Sequence, residues 1–333
     1  MTRISLGDAS LTNILARQGA ALRTQVQDAS TEVTTGRPTD LARTLRGDVS
    51  PVLALDATLA RLSAYKTTGT DAALHTAAQQ SAVGGLSRLA DGITTSLLGS
   101  RDFPTPAQVD TVAADARGRL ESAISLLNTQ ISGRAVFSGT ATDTQPLGTA
   151  EALLTALETA AAGATTSGQV AAAVVGWFAD PLGYAAFYQG GGSLAPAPIA
   201  PGDTADLSTT ALDPAIRDSL KGFAMAALLD RGVLAGNVEE RGRLAQRAGQ
   251  ELLTSEDSRI ALAARIGTAE AKVEAARTRN AAEETALGIL RSDLGSVDPY
   301  EAATRLEAAR NQLESLYLVT ARVSRLSLTE FLR

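Results

Sequence analysis

LEAARNQLESLYLVTARVSRLSLTEFLR, residues Leu306 to Arg333, places Leu306, Leu313, Leu316, Val323 and Leu326 at successive intervals of seven, three, seven and three. Those intervals put all five side chains on one face of a helix. The opening stretch does the same with Leu11, Leu15, Leu22, Val26 and Val33. A helix with one apolar face must bury it against a partner helix. With both ends of the sequence built this way, the expected partners are each other and the ends of neighbouring copies. This is the layout of an assembly subunit rather than of an enzyme.

The 333 residues suffice for two or three domains with a substantial core in at least one. Hydrophobic residues make up 44% but aromatics only 4%, so the apolar share is mostly Ala, Leu and Val. Small aliphatic side chains let helices approach closely, which favours bundles and coiled coils. A net charge of −6 gives no electrostatic footprint for nucleic acid or for anionic membranes. The absence of cysteine excludes disulfides and thiolate metal sites. MTRISLGDAS at the start lacks a basic-then-apolar signal pattern, and no uninterrupted apolar run reaches the ~18 residues of a membrane span. Export by a signal-less route stays open.

The first helix is expected from about Ser10 to Thr34, stopped by Thr35-Gly36-Arg37-Pro38. Asp40 can cap a second helix carrying Leu45, Val52, Leu55, Leu59 and Leu62, which Pro51 should kink or break. Helical pattern resumes from about Thr70 to Leu98. Thr105-Pro106 then reads as a cap with proline at the first helical position, ahead of a helix ending near Gly133. From Phe137 to about Leu220 the character changes. Pro, Gly, Thr and Ser rise, and Trp177, Phe178, Tyr184, Phe187 and Tyr188 cluster. Short strands and turns suit this region, with a helix such as Gly148–Ala162 among them. Asp213-Pro214 reopens helix. From about Gly236 to Leu294, Ile266, Val273, Asn280, Leu287 and Leu294 recur every seven residues, the strongest coiled-coil pattern in the chain. Asn280 either fixes register at an a-type position or is solvated.

The expected fold is mainly α: an elongated helical bundle or coiled coil from paired N- and C-terminal helices, with a smaller β-rich or mixed insert domain. Residues 1–40 and 295–333 form the terminal coiled-coil helices. Residues 41–136 and 213–294 form the bundle core, and 137–212 the outer insert.

Little in the chain suggests chemistry. His75, the sole histidine, has neither a cysteine nor a second histidine nearby and reads as a surface or packing residue. Gly190-Gly191-Gly192 has no following Lys-Ser/Thr, so a flexible turn is favoured over a phosphate loop. Glu239-Glu240 and Glu283-Glu284 are adjacent pairs, which do not share a helix face and read as solvated charges. The aromatic cluster reads as the insert's own small core. No catalytic residue, cofactor or metal site is expected.

Ile131-Ser132-Gly133-Arg134-Ala135-Val136-Phe137-Ser138-Gly139-Thr140-Ala141-Thr142-Asp143-Thr144-Gln145-Pro146-Leu147 resembles the segment leaving the helical core in flagellar hook–filament junction proteins, the FlgL-type hook-associated proteins of the flagellin family. Ala321 to Leu332 (ARVSRLSLTEFL) resembles the C-terminal end common to these proteins and flagellins. Asp298-Pro299-Tyr300-Glu301-Ala302-Ala303-Thr304 is similar to the turn before that last helix, and Asp213 to Gly222 to the return from insert to core. The resemblance covers roughly the first 147 and last 120 residues. Thr35-Gly36-Arg37-Pro38-Thr39-Asp40 departs from it, being shorter than the family's usual turn.

The resemblance implies a structural subunit that joins hook to filament and transmits torque, with terminal helices that pair into an inner coiled coil and order on assembly. On that basis Leu316, Val323, Leu326 and Leu328 pair with Leu11, Leu15, Leu22 and Val26 as the assembly interface. Implied partners are further copies in a ring, the other hook-associated protein, flagellin and an export chaperone, with no nucleic acid and no membrane insertion. The implied location is the extracellular flagellum, reached through the flagellar secretion apparatus without a cleaved signal peptide. Flagellin itself is the nearest alternative, although flagellins tend to carry an asparagine-glycine turn where this chain has Phe137-Ser138-Gly139. A non-flagellar coiled-coil scaffold or adhesin explains the heptads but not the matched ends.

Overall fold

The computed structural model describes the backbone of residues 6–100 and 105–331, and side chains over 13–100 and 105–323. Its elements are α1 (Leu6–Thr35), α2 (Leu41–Thr44), α3 (Ser50–Gly99), α4 (Pro106–Leu127), β1 (Gln130–Ile131), β2 (Arg134–Ala135), α5 (Ala150–Ala160), α6 (Ser167–Ala179), α7 (Tyr184–Phe187), β3 (Ala197–Ala200), β4 (Asp203–Ala205), α8 (Pro214–Ala227), α9 (Val238–Thr254), α10 (Glu256–Leu294) and α11 (Pro299–Phe331). The chain is mainly α, as its periodicity implies. Two compact units result, Met1–Arg61 with Ala282–Arg333, and Leu62–Ala281.

Helix boundaries follow the capping chemistry. Thr105 and Gln108 form a reciprocal capping box at α4, with Pro106 inside the first turn. Asp213 accepts from the Ala215 N–H at 3.0 Å and opens α8 ahead of Pro214. Pro51 behaves differently from expectation. Asp40 caps only the four-residue α2. Arg46 (φ 53°) and Gly47 (φ 88°) then turn the chain through left-handed backbone. Pro51 is the second residue of α3, where a missing N–H leaves nothing unsatisfied. The kink is therefore a start, and α3 runs unbroken for 50 residues with no separate helix beginning at Thr70.

The second expected long helix is the one that breaks. Between α9 and α10 the Ser255 hydroxyl and the Arg259 guanidinium both donate to the Leu252 carbonyl at 3.0 Å. Arg259 also donates to the Ser255 hydroxyl at 2.6 Å and is only 2% exposed. An oxygen freed from the helical ladder is thus satisfied by side chains, a common cause of a kink.

The core of the Leu62–Ala281 unit lies among α3, α4, α5, α6, α8 and α9. Leu86, Ile93, Leu120, Leu153, Val174, Phe223 and Leu244 are fully buried in it. Each such side chain contributes about 1.5–3 kcal/mol on burial. Trp177, Phe178, Tyr184 and Phe187 meet edge-on or stacked, and they join this main core rather than forming one of their own. Residues 137–212 are mixed. Helices α5 to α7 predominate, and β3–β4 is a single antiparallel hairpin.

Asn280 resolves the choice left by the heptads in a third way. It is 5% exposed, and its side-chain amide donates to the Ile199 carbonyl of β3 at 2.7 Å. Its face of α10 is covered by the hairpin, which with Ala72, Val273 and Ala276 forms a small separate core.

Gly190-Gly191-Gly192 is not a loose turn. Gly191 donates to the Ser138 carbonyl, and Thr140 donates to the Gly192 carbonyl, each at 2.8 Å. A Cβ on Gly139, whose φ is +59°, would stand 2.1 Å from the Gly192 oxygen. One on Gly191 would stand 2.2 Å from the Thr140 hydroxyl. The Phe137-Ser138-Gly139 exit and the glycine return are thus pressed together, backbone on backbone.

Candidate assembly interface

In the unit Met1–Arg61 with Ala282–Arg333, α1 packs along α11. On α1 the facing set is Leu15, Gly19, Leu22, Val26 and Ala29, spaced four, three, four and three. On α11 it is Ala302, Leu306, Ala309, Leu313, Leu316 and Val323. This is coiled-coil spacing. Gly19, Ala29, Ala302 and Ala309 are buried, while Leu15, Leu22, Val26, Leu306, Leu313, Leu316 and Val323 are half-buried. A Cβ built on Gly19 would meet Leu316 Cδ2 at 3.5 Å, so the helices are in contact at this level.

Polar groups fix the register of the pair. Arg23 donates from Nε to the Tyr317 hydroxyl at 3.1 Å, its guanidinium carbon 5.9 Å from the ring centre. Glu32, 7% exposed, accepts from the Thr39 N–H and hydroxyl at 3.1 Å and from Arg305 at 3.0 Å. The Gly36 carbonyl accepts from the Val297 N–H at 3.0 Å, and Asp298 caps α11 through the Tyr300 and Glu301 N–H groups. Elsewhere in the same unit, Arg291 of α10 pairs with Asp56 of α3 at 2.6 Å. None of these partners was identified from periodicity. Gly19 could have been, since it falls between Leu15 and Leu22 in the four-three rhythm.

Of the residues expected at the interface, Leu15, Leu22, Val26, Leu316 and Val323 lie on these two facing sets. The side chains of Leu11, Leu326 and Leu328 lie outside the described residues. Val33 continues the four-three spacing but is 42% exposed. Ile14 at 45%, Leu318 at 65% and Val319 at 50% are likewise open. A two-helix pair covers one narrow stripe on each member, and here apolar surface extends beyond it.

Elsewhere the polar residues prove structural. His75 is half-buried, and its Nε2 lies 3.1 Å from the Gln79 amide nitrogen, which also donates to the Thr209 carbonyl at 3.2 Å. Burial, and secondarily the Arg134 charge, lower its pKa. Glu240, expected to be solvated, accepts from the Ser167 N–H at 2.6 Å at the start of α6 and pairs with Arg243. Those bonds, the Ser167 backbone first, hold its carboxyl below the ordinary range. Tyr184 is buried with its hydroxyl on the Ala211 carbonyl at 2.8 Å, and burial pushes its pKa up. Among the described residues no group of three His, Asp or Glu side chains could hold a metal ion, and no helix is long and apolar enough to cross a membrane.

Residues 257–332, covering α10 and α11, match the family described as the bacterial flagellin C-terminal helical region. No curated protein matches the chain. Among solved structures, FlgL from Bacillus cereus superposes with a TM-score of 0.51 at 12% identity, covering 72% of this chain and 99% of that one. A protein provisionally named as a flagellar hook-associated protein from Vibrio parahaemolyticus gives 0.48 at 14% identity, covering 73% and 95%. Residues 257–332 thus carry the flagellin C-terminal helical region on α10 and α11, and the chain shares the fold of FlgL.

Proposed function

We propose that this protein joins the flagellar hook to the filament, assembling through its terminal helices and passing torque from one lattice to the other. The observation that carries this is the α1–α11 pair. Its C-terminal member lies in the flagellin C-terminal region, and its apolar surface exceeds what two helices cover. Covering the remainder requires further helices, and copies of the same pair supply them. The partners are then a ring of identical subunits, flagellin on one side and another hook-associated protein on the other. An export chaperone shields the terminal helices before secretion to the extracellular flagellum. The work is mechanical, with no catalysis. Flagellin is the second reading, because the matched family region is the flagellin C-terminal one.

Immunogold electron microscopy of isolated hook–filament particles, with antibody to residues 178–212, separates these. A short band where hook meets filament is the expected result. Label along the whole filament would make the protein a flagellin, and absence of label from accessible particles would end the flagellar reading.

A further inference from the structure

Leu182 is the most exposed large apolar side chain among the described residues, at 86%. It is also rigidly held. Its N–H donates to Asp180 Oδ1 at 2.8 Å, and the Gly183 N–H donates to the Asp180 carbonyl at 2.9 Å. Behind it, a Cβ on Gly183 would lie 1.9 Å from the Trp177 carbonyl, so this turn sits directly on the buried aromatic cluster. A leucine fixed in water by a stiff turn loses little conformational freedom when it docks.

The same unit carries a cavity of about 300 Å³ between α3, the β1–β2 hairpin and the segment leading into β3. Leu74, Leu194 and Leu207 give it apolar walls, and His75 lines it. Arg134, on the hairpin, is exposed and makes no ion pair with a described residue; the same holds for Asp180 beside the leucine. Asp71 is the other charged group on the cavity, so only one orientation sets Asp180 against a positive charge.

We propose that the Asp180-Pro181-Leu182 turn of one copy seats in this cavity of a second copy, with leucine between the apolar walls and Asp180 against Arg134. Knob and hole are different surfaces of one body, so the contact is heterologous. It repeats from copy to copy, as a ring or helical array requires. It rests on the reading of the chain as an assembling subunit, but it is a separate surface from the α1–α11 pair. Opposite charges at its edge fix orientation more than they add affinity.

The chain contains no cysteine, which makes cross-linking unambiguous. Full-length protein carrying Leu182→Cys and Leu74→Cys, incorporated into flagella, is oxidised mildly and run without reductant. A ladder of covalent dimers, trimers and larger species, absent with either single variant, is expected, since a disulfide forms only when the two Cα atoms lie within about 7 Å. In parallel, Asp180→Arg and Arg134→Asp should each lower incorporation about tenfold, and the double swap should restore it. No ladder from protein present in the flagella, or no rescue by the swap, overturns the contact and leaves the proposed function standing. Absence of the unsubstituted protein from flagella overturns both.

Discussion

Single residues carry the sharpest tests. Removing the Asn280 amide leaves a buried Ile199 carbonyl without its donor, so Asn280→Ala should cost about 1–3 kcal/mol in urea unfolding and loosen the β3–β4 hairpin. Gly19→Ala should act in the opposite direction. The added methyl meets Leu316 at 3.5 Å, an ordinary contact. The helix then gains about 0.5–1 kcal/mol of propensity, readable as a higher melting temperature. His75 sets a pH dependence. Its pKa is lower in the folded chain than in the unfolded one, so on acidification the unfolded state takes up the proton first. Its contribution is fully present above about pH 6.5 and falls as pH drops from there toward the lowered folded value. His75→Gln should flatten that part of the stability–pH curve. The histidine's packing role was legible from its neighbours. The Asn280 partner was not, because Ile199 is 81 positions away and no periodicity links them.

At the level of elements, the proposed assembly role of the terminal pair can be tested directly. Leu316→Asp places a charge on the α1–α11 seam, and the expected result is full secretion with no incorporation into filaments. The same is expected of Leu326→Asp, the equivalent change nearer the chain end. Normal filament growth in either strain would refute the pairing. The Phe137-Ser138-Gly139 exit offers a different test. Gly139→Ala combines left-handed backbone with a 2.1 Å approach to the Gly192 oxygen, and should cost at least about 2–3 kcal/mol. Caps and apolar rhythm made α1, α4, α8 and α11 readable, because these signals are local. The helix start at Pro51 and the break at Ser255 both escaped the sequence for one physical reason. Proline ends or begins a helix according to the turn before it, here Arg46 and Gly47. Ser255 breaks one only because Arg259 reaches back to the Leu252 carbonyl. The insert seemed richer in strand than it is, since its Gly and Pro residues serve close packing and caps between short helices.

In the whole molecule, stability is unevenly spread. The Leu62–Ala281 unit holds nearly every fully buried side chain, whereas the terminal unit has a seam of half-buried leucines. Limited proteolysis of purified monomer should therefore remove the terminal unit first and leave a core near residues 62–281. Equal cleavage of both units would contradict this ordering. The glycine return adds a consequence for how the chain bears tension. The main chain at Ser138–Thr140 runs beside Gly191–Gly192, bridged there by two backbone hydrogen bonds of 2.8 Å. A pull entering along α4 and leaving along α8 crosses that bridge directly, so the load bypasses the backbone of the roughly fifty residues in between. Stretched at its ends, the molecule should give way in the helices or at this staple before the backbone between residues 141 and 190 bears tension.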